Sequence, residues 1–361
     1  MATGWPMKTT YADGDVYSSQ DVNDITGTIN LLGSSVAYAA GKNKIINGDF
    51  GVWQRGTSFN LSSVTGYTAD RWQLTWNGSG ATRTISQQTF TPGTAPVAGY
   101  EGRFFWRYAQ TVAGTGGAGN YFFQPIEDVR TFAGQTVTAS FWAKADASRS
   151  VPVALEQNFG SGGSGGTSTS LGTASITTSW TRFTFSVAVP SISGKTVGTS
   201  SYLNFLMTFP ANTVQTIDIW GVQLEQGSTA TAFQTATGTI QGELAACQRY
   251  FQIYGGTQNY ELIGSSSVAA SSTSAYAGVD LLVEMRTVPS IVTSFYSNVN
   301  EFTLDGGNNN YRLTALSINS GANAKKVRLN CTVASGLTTT SCYPFLTYST
   351  STGKLALSSE L

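Results

Sequence analysis

TRFTFSVAV, residues 181–189, and YLNFLMTF, residues 202–209, decide the fold. In the first, Phe183, Phe185, Val187 and Val189 alternate with polar or small residues; in the second, Leu203, Phe205, Met207 and Phe209 do the same. A period of two puts every apolar side chain of a strand on one face, so both stretches read as half-buried antiparallel strands. Upstream, Val137, Ala139 and Phe141 mark a further strand, with Trp142 on its opposite face. From Ile217 to Leu224 the apolar phase flips at Gly221, as it does where a β-bulge inserts one residue. Gly- and Ser-rich loops separate the strands, most densely at Gly160–Gly166. Together these features predict a two-sheet sandwich of jelly-roll type over residues 43–240.

Near Glu243 the stretch ELAACQRYF reads as a short helix and marks a junction. Alternation resumes at Val279 to Val283 and again through Val327, Leu329, Cys331 and Val333. DGGNNN at 305–310 is a hairpin turn, because Gly and Asn tolerate positive φ. A second, smaller β-sandwich domain is therefore expected over residues 241–361.

At the other end, Val22, Ile25, Ile29, Leu32 and Val36 recur at spacings of three and four, the a/d seam of a helix that Ser18 and Asp21 cap. Gly27 and Gly33 make this helix intrinsically weak, so it needs partners. Two arrangements supply them: a parallel homotrimer, or packing on the chain's own sandwich. Residues 1–17 read as an extended arm able to lie on another protein. The fold class is thus all-β, with two jelly-roll-like sandwich domains behind a trimerising segment at 1–42.

Composition narrows the function. Of 361 residues, 40% are hydrophobic, enough for two cores, while only 11% are charged, which suits a turn-rich β protein. Twenty basic and twenty acidic residues cancel, so no long-range field draws in nucleic acid or an anionic membrane. No apolar run approaches the roughly 20 residues that span a bilayer, and MATGWPMKTT has no signal-peptide core. Cys247, Cys331 and Cys342 read as buried thiols, with Cys331 and Cys342 able to meet across neighbouring strands. Histidine is absent, which removes the commonest general base and zinc ligand together.

Gly160, Gly162 and Gly165 match GxGxxG, but Thr/Ser-rich sequence follows where a dinucleotide site needs a helix, so the segment reads as a loop. Ser–His–Asp and Cys–His sites are impossible. Glycoside hydrolysis needs only two carboxylates, and Asp70, Glu101, Glu127, Asp128 and Glu156 are candidates, though nothing in the sequence brings two together. Eight Trp, sixteen Tyr and nineteen Phe offer sugar-stacking platforms. Trp53, Tyr67, Asp70, Trp72, Trp76 and Trp106 form the candidate glycan-contact set, with core or inter-subunit packing as the competing role of each tryptophan. Asp49 and Asp218 could converge when the jelly roll closes and hold a structural Ca²⁺; Asp218 could equally cap a sheet edge or pair with an arginine.

Several stretches together resemble bacteriophage tail and tail-fibre proteins: KNKIINGDFGVWQRG (42–56), YTADRW (67–72), RTFAGQTVTASFWAKAD (130–146), IWGVQLEQGSTATAF (219–233), ELAACQRYFQ (243–252), VEMRTVPS (283–290) and NCTVASGLTTTSCYPFL (330–346). TGWPMKTTYADGDVYSSQDVND (3–24) is similar to virion-attachment segments of marine phage fibres. The resemblance implies a carbohydrate-binding-module-like jelly roll, recognition of a host cell-surface polysaccharide, and a place in the virion tail of a protein made in the host cytoplasm. The sequence reading is a non-enzymatic trimer joined to other virion tail proteins through residues 1–42. A purely structural virion component and a polysaccharide depolymerase are the alternatives.

Overall fold

The computed structural model describes residues 41–61, 66–97, 100–348 and 353–361. The proposed seam of Val22, Ile25, Ile29, Leu32 and Val36 lies outside these residues. Among the described residues the structure is nearly all β.

Twelve strands build the first module: β1 (Ser58–Asn60), β2 (Gly66–Tyr67), β3 (Gln73–Trp76), β4 (Thr82–Thr89), β5 (Phe104–Val112), β6 (Asn120–Glu127), β7 (Thr136–Ala145), β8 (Arg149–Asn158), β9 (Thr167–Ile176), β10 (Thr181–Ala188), β11 (Tyr202–Phe209) and β12 (Gln215–Gln226). They form two six-stranded antiparallel sheets, β1-β4-β5-β12-β7-β10 and β2-β3-β6-β11-β8-β9. The expected alternation places Leu203, Phe205, Met207 and Phe209 wholly inside, facing Val137, Ala139 and Phe141 across the core. At Gly221 (φ +66°) the pairing of β12 with β7 slips between Trp220 and Gln223, which is the bulge implied by the phase flip. A Cβ at Gly221 would stand 2.7 Å from Trp142 Cε3, so crowding as well as φ demands glycine.

Trp142 indeed lies on the other face of β7. There it joins Phe90, Phe105, Trp220 and Phe233 in a second, smaller apolar cluster on the outside of the first sheet. The glycine segment at 160–166 connects β8 to β9, with a strand after it, which excludes the dinucleotide reading. It is closely packed: a Cβ on Gly160 would lie 2.2 Å from the Thr199 carbonyl oxygen.

Helix α1 (Ile240–Gln248) is the predicted junction helix, and the Thr239 side chain caps it by accepting from Gly242 N. The second module follows with β13 (Phe251–Tyr254), β14 (Leu262–Ala269), β15 (Ser274–Asp280), β16 (Ser290–Ile291), β17 (Phe302–Asp305), β18 (Asn310–Ile318), β19 (Lys326–Val333), β20 (Cys342–Thr347) and β21 (Leu355–Ser358). Where a sandwich was expected, six strands close into a barrel, β14-β15-β19-β18-β17-β20, beside a three-stranded sheet β13-β21-β16. Closure comes from the pairing of β14 with β20, a long-range choice that leaves no pattern in either strand. Val327, Leu329, Cys331 and Val333 point inward as expected, and Asp305 pairs with Asn310 across the DGGNNN turn. The predicted run from Val279 to Val283 is displaced: β15 ends at Asp280, and its buried phase is Ala275, Ala277 and Val279. Cys331 and Cys342 do not meet, because β19 and β20 are not neighbours; Cys331 is buried and Cys342, against expectation, is exposed.

The modules are joined by a buried charged cluster. Arg55 pairs with Asp70 (3.3 Å) and with Glu360 (2.7 Å), and Arg71 pairs with the second oxygen of Glu360. Arg55 stacks on Phe251 at 3.7 Å and Arg71 on Tyr250 at 3.5 Å. Arg71 takes a left-handed conformation (φ +71°), which turns its guanidinium to the Pro125 carbonyl and Glu360.

Candidate functional site

Of the four tryptophans chosen from sequence, two are core residues. Trp72 and Trp106 are 0% exposed. Their rings stack on either side of Phe122, at 4.6 and 4.0 Å between centroids. The polar neighbours that suggested exposure are satisfied elsewhere: Trp72 Nε1 donates to Asn47 O, and Arg71 and Asp70 point into the junction cluster. Trp53 and Trp76 are half-buried against the core, Trp53 stacked on Phe59 and Trp76 beneath the guanidinium of Arg83. Asp70 is buried in its ion pair, where burial pushes its carboxyl up while Arg55 and the Gln54 hydrogen bonds pull it down. Tyr67 donates to the Leu361 carbonyl (3.2 Å), and its ring lies under Arg55. It also walls a cleft of about 680 Å³ between the modules with Phe59, Phe251, Phe295 and Lys354.

Asp49 and Asp218 do not form a calcium pair. Asp218 on β12 lies in register between Arg107 of β5 and Lys144 of β7. Arg107 holds both its oxygens, Nε at 2.7 Å and Nη2 at 2.8 Å, so the arginine alternative applies. Asp49 faces Glu243 in a small cleft of about 210 Å³ with Tyr100, Arg103 and Phe104. Burial, then the Glu243 charge, pushes its carboxyl up to about 6. Glu243 is committed to the backbone N–H groups of Asn47 and Thr237. No group of three or more acidic or cysteine side chains able to hold a metal is present among the described residues. No helix there is long and apolar enough to cross a membrane.

A different surface has the composition of a sugar site: the outer face of the second sheet. On β6, Phe122, Gln124 and Ile126 take the core, which leaves Tyr121 and Phe123 outside and half-buried. On β11 the outward phase is Tyr202, Asn204, Leu206 and Thr208. Register sets Leu206 beside Phe123, Thr208 beside Tyr121, and Asn204 beside Glu156 of β8. Asn204 Nδ2 donates to Glu156 Oε2 at 3.4 Å, whereas Asn204 Oδ1, buried, has no donor. An orphaned buried carbonyl oxygen is costly unless something supplies a proton. Asn158 Nδ2 donates to the Tyr202 hydroxyl (3.2 Å), and burial together with the Glu156 charge raises that phenol. The packed glycine loop borders this end of the face, since Gly160 N donates to Asn158 Oδ1.

Of the carboxylates considered for hydrolysis, Glu127 and Glu156 share this face. Two strand spacings and a two-residue offset put their Cα atoms about 12 Å apart. Glu127 is bound by Arg249 (3.0 and 3.1 Å) and Tyr250, and these hold it below the usual range despite partial burial. That is the opposite of a general acid's requirement. Asp128 pairs with Arg130, and Glu101 accepts from Gly93 N.

No protein-family profile matches the chain, and no curated protein does. Among solved structures it is similar over part of its length to the enzymatically active domain of tailspike protein 4 of bacteriophage CBA120: 17% identity, TM-score 0.33, covering 52% of this chain and 22% of that one. It is similar to the xylan-binding domain CBM22-1 of Paenibacillus barcinonensis Xyn10C, at 13% identity and TM-score 0.31 over 53% of this chain and 98% of that one. It is equally similar to a Stig cyclase from Fischerella, at 12% identity and TM-score 0.34 over 53% and 100%. Likenesses this distant decide neither ligand nor activity, and the sandwich rests on its own strand order.

Proposed function

We propose that the chain is a bacteriophage tail-fibre or tail-tip protein whose first module binds a host surface glycan through the outer face of β6, β11 and β8, without turnover. The observation that carries the binding reading is one outward sheet face that bears Phe123 near Asn204 and Glu156, with Tyr121 and Tyr202 at its two ends about 20 Å apart, a span for several sugar units. The apolar C–H faces of successive pyranose units stack on these rings, while Glu156, half-buried on the same face, accepts from their hydroxyls. The virion role is supported by the sequence resemblance, and residues 1–42 are proposed to form the trimer and to join other tail proteins. Trimeric display converts weak single contacts into avidity.

The test is a glycan array probed with the full chain. Saturable binding that Tyr121→Ala or Tyr202→Ala abolishes, with the fold retained, supports the reading. No binding across host glycans favours a purely structural virion role. Release of reducing ends from host capsule or lipopolysaccharide would establish a depolymerase instead.

A further inference from the structure

The barrel carries a groove unlike the face just described. Along the outside of β15 lie Tyr276, Gly278 and Asp280, because Ala275, Ala277 and Val279 take the interior. Across the ladders, Val268 of β14 stands opposite Tyr276, Arg328 of β19 opposite Gly278, and Lys326 opposite Asp280. These residues, with Asn323, line a hollow of about 460 Å³. Tyr276 and Val268 are 37% and 45% exposed and stand side by side at the groove.

Gly278 makes the hollow. Its φ is not in the left-handed region, and a Cβ there would meet nothing closer than Lys326 Cε at 3.6 Å. Neither backbone nor crowding requires glycine at this position, and its effect is to leave open space beside the Tyr276 ring.

The charges in the hollow are unequal. Lys326 pairs with Asp280 at 3.0 Å. Arg328 stacks over Tyr276 at 4.0 Å and, among the described residues, has no carboxylate or side-chain hydrogen-bond partner. Stacking fixes the plane of a guanidinium while its edge N–H groups stay available, the arrangement that takes a carboxylate bidentately. Asn323 Oδ1 is used by the N–H groups of Lys325 and Lys326, which leaves its amide N–H₂ for a ligand oxygen.

We infer that this groove is a second saccharide site, selective for a uronic-acid-type sugar. Arg328 grips the carboxylate, the ring lies over Gly278 against Tyr276 and Val268, and Asn323 and Asp280 take hydroxyls. This goes beyond the proposed first-module site and stands independently of it.

The experiment is calorimetric titration of the full chain with oligogalacturonate and oligoglucuronate, beside their methyl esters. Binding of at least one acid is expected, at least tenfold weaker as the ester and weakening with salt. Arg328→Gln and Gly278→Val should each weaken it at least tenfold, whereas Tyr121→Ala in the first module leaves it unchanged. Both substitutions are on the barrel surface, and circular dichroism checks that the fold persists. Absence of binding by either acid at millimolar concentration overturns the inference. So does equal binding of acid and ester, an Arg328→Gln effect under twofold, or loss of binding on Tyr121→Ala alone.

Discussion

Glu360→Gln tests the coupling of the two modules. The substitution keeps the side chain's volume and removes one charge that serves two arginines, Arg55 and Arg71. All three side chains are at most 8% exposed, so water cannot replace the lost carboxylate. Removing one partner of a buried pair costs roughly 3–5 kcal/mol. Here Asp70 still serves Arg55, and Arg71 keeps the Pro125 carbonyl and the Tyr250 ring, which lowers the expectation to about 2–4 kcal/mol. With a urea dependence of about 3 kcal/mol per molar, the midpoint should fall by about 1 M. Seven of the eight tryptophans lie between Trp53 and Trp220 and none follows, so indole fluorescence reports chiefly the first module while far-ultraviolet circular dichroism reports both. The two transitions should coincide in the wild type and separate in the variant. Pairing Arg71→Met with Glu360→Leu should recover at least half the loss, because an apolar pair avoids desolvating charge. A midpoint shift under about 0.2 M, with coincident transitions, would refute the coupling.

Asp49→Asn should stabilise the protein at pH 7 by about 1–3 kcal/mol. The carboxyl titrates near 6 in the fold against 3.8 unperturbed, so its contribution is fully present below pH 4 and lost as pH rises through 6; the variant's advantage must vanish in melts at pH 4. Gly221→Ala should cost about 1–3 kcal/mol by urea titration, since it meets both a left-handed φ and the Trp142 ring; an effect under 0.5 would show that the bulge is not needed. Trp106→Ala should lower stability by about 3–5 kcal/mol by opening a cavity beside Phe122, and a folded, equally stable variant that lost only glycan binding would reinstate it as a surface contact.

What the residues revealed in advance was local. Alternation placed Leu203 to Phe209 and Val327 to Val333 inside, and a phase flip placed the bulge at Gly221, because each needs only neighbours two residues away. Which role Trp72 takes is not legible for the same reason: Arg71 and Gln73 stand beside it, but the partner that buries Arg71 is 289 residues distant. Asp218 presented the converse problem, a carboxylate whose fate depended on which strands flanked β12. The aromatic face was visible in NYFFQPIE as aromatics on both phases of one strand. Choosing Tyr121 and Phe123 as the outer phase needed the knowledge that Phe122 meets Trp72 and Trp106. In the barrel, Tyr276 and Arg328 sit on strands 50 residues apart by about the same logic, brought together only by the β15–β19 ladder.

The most direct measurement is hydroxyl-radical footprinting of the full chain with and without the best-binding oligosaccharide from the array. Bound sugar should shield Tyr121, Phe123 and Tyr202 from oxidation and leave Tyr260, exposed on the second module, unchanged. Saturating ligand that leaves all three rings as reactive as before would contradict the assignment of this face.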